Sequence, residues 1–273
     1  MGRVEHFVSA VELAGLLAGP RPPVLLDVRE SAGSAGHLPG AVYVDLATQL
    51  AGPPSRLSGR RPLPDIADLQ WLARSWGIDD GDPVVVYDDV AGGGAGTRAG
   101  RAYWVLRWAG IADVRILDGG LGAWAAAGLP LSTAASAPSR GGVTLTAGHL
   151  AELTADEAAA YAAAGRLFDA RDAARFTAGH IPGAVSAPTR DSLDADGLLL
   201  DANALRERLA ALGIDGSRPV GVYCGGGVAA AHAVAVLGSL GIEAALFVGS
   251  FSAWSADPDR PVAAGVTEVA ATP

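Results

Sequence analysis

The sequence contains no lysine, so all 20 of its basic residues are arginine. It has one cysteine, which excludes an intramolecular disulfide framework and any multi-cysteine zinc site. No uninterrupted apolar run is long enough to span a membrane. No basic segment followed by an apolar run and a cleavage site opens the chain. His6 stands where an N-myristoylation signal after Met1-Gly2 would need Ser or Thr. Positive charge is in deficit as well. A formal net charge of −9 argues against nonspecific nucleic-acid binding and against an anionic membrane surface. An anionic substrate would need local positive charge against that field. These absences describe a soluble, cytoplasmic protein in a reducing compartment. What is plentiful is small and apolar. Half of the 273 residues are hydrophobic, with 37 glycines, and this length suits two domains of ordinary size.

The single cysteine lies in Val220-Gly221-Val222-Tyr223-Cys224-Gly225-Gly226-Gly227-Val228-Ala229-Ala230. The stretch begins as a buried strand and ends in an Ala/Val/Leu-rich run to Leu240 that reads as a buried helix. A lone cysteine after an apolar strand is usually a small buried hydrophobe. Packing, however, does not require three glycines between it and a helix. A sulfur at a strand end, facing a loop that opens a helix, meets unpaired backbone N–H groups that stabilise negative charge. Glycines let that backbone approach closely and adopt φ > 0. The stretch therefore reads as a nucleophilic or anion-binding cysteine, Cys224.

The chain is also duplicated. Ser9-Ala10-Val11-Glu12 is a capping box opening a helix to Leu17. Strands are expected at 24–28, 83–87 and 114–117, helices at 65–76 and 97–109, a long loop at 52–64 and a glycine-rich loop at 88–96. The same order then recurs. Leu167-Phe168-Asp169-Ala170-Arg171 answers Leu25-Leu26-Asp27-Val28-Arg29, and the segment from Gly179 to Val185 answers that from Gly36 to Val42. Pro219 to Cys224 answers Pro83 to Asp88, and Gly249 to Trp254 answers Gly119 to Trp124. Strands alternating with helices imply an α/β fold, each half a mainly parallel sheet covered by helices on both faces. The expected boundaries are an N-terminal domain at 1–131, a Ser/Ala/Thr/Gly-rich linker at 132–146 and a C-terminal domain at 147–273. Both halves keep the fold-forming signals, but only the second has a cysteine at the strand end; the first has Asp88. This points to a catalytic second half and a supporting first half.

These residues resemble the tandem-domain rhodanese, or sulfurtransferase, family over nearly the whole chain. The resemblance rests on His180-Ile181-Pro182-Gly183-Ala184 with Phe176 before it, and on the loop from Cys224 to Ala230. It also rests on the repetition of the His-[Leu/Ile]-Pro-Gly-Ala and Gly–Trp elements. It implies two tandem rhodanese-like domains and a double displacement through a Cys224 persulfide, with no cofactor and no metal. The donor would be thiosulfate or 3-mercaptopyruvate and the acceptor cyanide or a thiol. By family position the donor's anionic group falls to Arg175, and the backbone of Gly225, Gly226, Gly227, Val228 and Ala229 lines the site. The alternative for Arg175 is a surface ion pair with Asp172, worth little, and the family position favours the donor-binding role. Arg171, repeated as Arg29, reads as structural, and His37 and His180 as turn-stabilising.

The loop departs from both family types. Mercaptopyruvate-type members have serine and threonine where this chain has Gly226 and Ala229. Thiosulfate-type members have an Arg-Lys pair where it has Gly225-Gly226. The segment from Phe176 to His180 is short and carries no second arginine. On loop charge alone, a single carboxylate is easier to hold than a dianion, so modest activity with both donors and a slight preference for 3-mercaptopyruvate are expected. A cysteine phosphatase would need arginine at Ala230. The alternative is a non-enzymatic sulfur-carrier or regulatory rhodanese module. The intact cysteine and glycine loop argue against that alternative.

Overall fold

A computed structural model describes residues 6–31, 36–90 and 96–265. Met1-Gly2, and residues 91–95 of the expected glycine-rich loop, lie outside them. In chain order the first elements are β1 (Phe7–Val8), α1 (Ala10–Leu17), β2 (Val24–Asp27), β3 (Val42–Tyr43) and α2 (Leu46–Gln49). Then follow α3 (Ile66–Ser75), β4 (Val84–Tyr87), α4 (Thr97–Trp108), β5 (Val114–Leu117) and α5 (Gly120–Ala126). The repeat brings α6 (Ala155–Ala163), β6 (Leu167–Asp169), α7 (Ala173–Ala178), β7 (Val185–Ser186) and α8 (Ala202–Ala211). It closes with β8 (Val220–Tyr223), α9 (Ala229–Ser239), β9 (Ala244–Leu246) and α10 (Ser250–Trp254).

Local chemistry sets many of these boundaries. Ser9 and Glu12 form the capping box of α1, and Thr154 and Glu157 form an equivalent one at α6. Aspartates 45, 65, 172 and 201 accept backbone N–H bonds at the starts of α2, α3, α7 and α8. The strands pair only in parallel, in the orders β1-β5-β4-β2-β3 and β7-β6-β8-β9. Every residue of β4 and of β8 is buried, as strands in a parallel sheet covered on both faces must be.

The chain divides into two compact units that do not follow its halves. One holds residues up to Gly52, Leu63–Leu150 and Leu193–Leu199; the other holds Pro53–Pro62, Ala151–Ser192 and residues from Leu200 on. The segment 193–199 closes on itself through an antiparallel Leu193–Leu199 bridge, and the Leu199 N–H donates to Asp118 at 2.8 Å. Part of the expected linker is pinned to the first unit. Gly141, Val143 and Thr146 donate N–H bonds to Arg74, Ile78 and Ala109, while Val143 and Leu145 are buried. The alternation of these two apolar side chains decides the path of a stretch whose composition reads as a spacer.

The repeat extends to individual hydrogen bonds. The Tyr87 hydroxyl accepts from Leu38 N–H at 3.2 Å, and the Tyr223 hydroxyl from Ile181 N–H at 3.1 Å. Trp124 and Trp254 each donate Nε1–H to a proline carbonyl, Pro130 and Pro261, at 2.8 Å.

Candidate active site

Cys224 directly follows β8 and is 3% exposed. Its backbone is held from three sides. Its N–H donates to Ser250 Oγ at 3.2 Å, and its carbonyl accepts from Phe251 N–H at 2.9 Å. The next carbonyl, of Gly225, accepts from Ser252 N–H at 3.2 Å. Ser250 is fully buried, passes its own proton to the Phe247 carbonyl at 2.8 Å, and sits at φ 52° without being glycine. A strained residue held by two hydrogen bonds thus fixes the backbone of Cys224.

Helix α9 opens five residues after the cysteine, with Val228 at its N-cap and no side-chain cap. Among the described residues, the N–H groups from Gly225 to Ala231 have no acceptor. The loop that follows Cys224 therefore carries an open run of donors into a helix N-terminus. Gly227 adopts φ 75°, which favours glycine, whereas Gly225 and Gly226 do not adopt positive φ. Those two glycines instead leave space for a side chain lying over them.

That side chain is Arg60. A Cβ built on Gly225 would lie 2.7 Å from Arg60 Nη2, and one on Gly226 would lie 3.5 Å from Arg60 Nε. Arg60 belongs to 53–62, the segment that joins the second unit. Sequence reasoning treated that segment as a loop. No local signal could have placed it here, because the contact is made through tertiary folding. Arg60 brings to this loop a cation that positions 225 and 226 do not supply.

The other arginines divide clearly. Arg171 is buried, donates Nε–H and Nη2–H to both oxygens of Asp169, and gives a further bond to the Gly179 carbonyl at 2.7 Å. Its guanidinium lies 4.2 Å from the centroid of the Phe251 ring. Arg29 repeats the pairing with Asp27 in the first unit. Arg175 is exposed on α7, with Nε 3.2 Å from Asp172. His180 is buried and stacked on Phe176 at 3.8 Å, with Nδ1 3.0 Å from the Phe176 carbonyl.

The first unit shows what such a cradle holds when no cysteine is present. Asp88, after β4, accepts N–H bonds from Arg98 at 2.9 Å and Ala99 at 3.0 Å, at the start of α4. Burial nevertheless pushes its carboxyl up to about 6. Its Oδ1 has no partner among the described residues. A cavity of about 750 Å³, lined by residues including His6, Glu12, Arg107 and Arg115, lies in this unit but includes no residue of the Cys224 loop.

Two segments of the chain, residues 9–127 and 154–257, match the model of the rhodanese-like domain. The chain belongs to the rhodanese family. SseB of Mycobacterium tuberculosis, which carries a thiosulfate sulfurtransferase name, is 46% identical over 96% of this chain and 98% of its own. The thiosulfate sulfurtransferase of Pseudomonas aeruginosa is 32% identical over 93% of this chain and 96% of its own. The crystal structure of SseA from Escherichia coli, a 3-mercaptopyruvate sulfotransferase, superposes with a TM-score of 0.76. It is 28% identical and covers 90% of this chain and 98% of its own. This rhodanese is accordingly an enzyme of the sulfurtransferase class built from two rhodanese-like domains. No helix among the described residues is long and apolar enough to cross a membrane.

Proposed function

We propose that this rhodanese moves a sulfane sulfur from thiosulfate or 3-mercaptopyruvate, through a persulfide on Cys224, to cyanide or a thiol. The observation that carries the reading is the run of unpaired N–H groups from Gly225 to Ala231 beside a buried sulfur. The Cys224 thiolate attacks the sulfane sulfur of thiosulfate. A new S–S bond forms, the old one breaks, and its electron pair leaves with sulfite. With 3-mercaptopyruvate the C–S bond breaks instead, and its electron pair leaves on the enolate of pyruvate, which then takes a proton. Cyanide or a thiolate attacks the outer sulfur of the persulfide, and the electron pair of that S–S bond returns to Cys224. No external oxidant or reductant enters the cycle. Negative charge sits on the Cys224 sulfur before the donor is attacked and returns to it when the acceptor leaves, so fixed N–H dipoles from Gly225, Gly226, Gly227, Val228 and Ala229 stabilise that anion without rearrangement.

Arg175, exposed and paired only with Asp172, can turn toward an incoming anion at little cost, because a surface ion pair of this kind is weak. A thiol that must cycle through a persulfide suits a reducing, cytoplasmic setting. The acidic chain disfavours nucleic acid and membrane surfaces as partners. Intact-mass measurement after incubation with each donor tests the mechanism. Cys224 should become one sulfur atom heavier, and Cys224→Ser should lose both the adduct and turnover. Turnover by the serine variant would refute it.

A further inference from the structure

We propose that Arg60 is a second residue, besides Arg175, that reads donor charge in this enzyme, its guanidinium binding the anionic group of the donor while Cys224 takes the sulfur. The proposal rests on the Cys224 mechanism above.

The placement of Arg60 is built. Ser55 and Gly59 exchange backbone hydrogen bonds at 3.3 and 3.0 Å, and Ser58 N–H donates to Ser55 Oγ, closing a tight turn. Gly59 adopts φ 81°, and a Cβ there would lie 2.5 Å from the Gly249 carbonyl oxygen, so only glycine allows this approach. The Arg60 N–H then donates to Ser252 Oγ at 3.1 Å. The backbone N–H of Ser252 holds the Gly225 carbonyl. One serine therefore ties the Arg60 turn to the loop that follows the nucleophile.

The side chain has no competing use. It is exposed, and among the described residues no carboxylate forms an ion pair with it. Its head reaches Gly225 and its stem lies along Gly226. Arg171 flanks the same glycine, with Cδ 4.0 Å from a Cβ built there, but its guanidinium is already committed to Asp169. Among the described residues, Arg60 is thus a cation over Gly225-Gly226 with no ion pair of its own. An acidic chain that accepts an anionic substrate needs such a local charge. A guanidinium offers paired donors matched to a sulfonate-like or carboxylate group. It would act more strongly on dianionic thiosulfate than on the monocarboxylate of 3-mercaptopyruvate.

Steady-state kinetics with both donors and single-turnover mass measurements on Arg60→Ala, Arg60→Lys and the parent test this. Arg60→Ala should lower kcat/KM for thiosulfate about ten- to a hundredfold, mainly through KM, and less for 3-mercaptopyruvate. Arg60→Lys should recover part of that loss. The salt sensitivity of the parent's kcat/KM should diminish in Arg60→Ala. The thermal midpoint should not move, because the Arg60 contact to Ser252 uses backbone. If the parent loads sulfur on Cys224 and Arg60→Ala loads it with unchanged kcat/KM for both donors, the assignment of Arg60 is wrong while the nucleophile stands. If the parent itself never gains the sulfur, the Cys224 mechanism falls and the Arg60 assignment falls with it.

Discussion

Asp88 and Cys224 occupy the same place in the two copies of the fold, directly after β4 and β8 and before a helix N-terminus. The carbonyl of Asp88 accepts from Leu121 N–H at 3.0 Å, and that of Cys224 from Phe251 N–H at 2.9 Å. In the first unit a carboxylate fills the cradle that the second unit leaves open beside a sulfur. The first unit thus fills its N–H groups with a carboxyl of its own, and the corresponding groups of the second unit stay open.

Asp88→Asn should stabilise the protein at neutral pH. The carboxyl's folded-state pKa, raised by burial to about 6, lies above its unfolded value, so the folded state binds the proton more tightly. Its favourable contribution is full below about pH 4 and is lost as pH rises through about 6. Above that range, an ionised carboxylate with one unpartnered oxygen costs on the order of 3 kcal/mol by linkage. Urea midpoints of the parent and Asp88→Asn should coincide near pH 4 and separate toward pH 8. Equal separation at both pH values would contradict the burial argument.

His232 works in the opposite direction over the same range. Burial lowers its imidazole to about 4, below its unfolded value near 6.5. The unfolded chain therefore binds more protons, and stability falls as pH drops from about 6.5 toward 4. His232→Gln should flatten that acid decline. In the parent the two effects partly cancel, so Asp88→Asn should show a steeper acid loss than the parent. Denaturation at half-unit pH steps would reveal both slopes.

Ser250→Ala should cost about 1–3 kcal/mol, because Cys224 N–H and the Phe247 carbonyl both lose a buried partner. Ser250→Gly should be less damaging, since it relieves the positive φ while losing the same bonds. Both should slow persulfide formation. An alanine variant of parental stability would show that the serine does not secure the cysteine.

Gly227→Ala and Gly225→Ala should separate conformation from space. Gly227 adopts φ 75°, so a Cβ there should cost roughly 1–2 kcal/mol and tilt the unpaired N–H groups of the loop. Gly225 has no such φ, and a Cβ there meets only the flexible end of Arg60. Gly225→Ala should keep parental stability yet raise the KM for thiosulfate by displacing the guanidinium. Thermal midpoints measured alongside donor kinetics would check the contrast.

Much was readable from residues alone. The alternation of apolar runs, glycines and capping residues showed the duplicated α/β fold, because hydrophobic period and turn chemistry act over a few neighbours. Cys224 stood out because one thiol followed by three glycines has a local electrostatic meaning. Paired Asp-Arg and His-x-Pro-Gly-Ala elements were visible because each is a short, repeated segment. The tertiary structure alone decided the rest. Arg60 reaches Gly225 because the turn at 55–59 packs on Gly249 and Ser252, residues far along the chain. No propensity or spacing near position 60 encodes that meeting. The same holds for Asp88, whose anion fills a cradle only once β4 and the start of α4 are packed together. Local sequence determined which elements form and that Cys224 stands between a strand and a glycine loop; long-range packing decided which charges stand beside that loop, because Coulomb energies depend on distance in space and not along the chain.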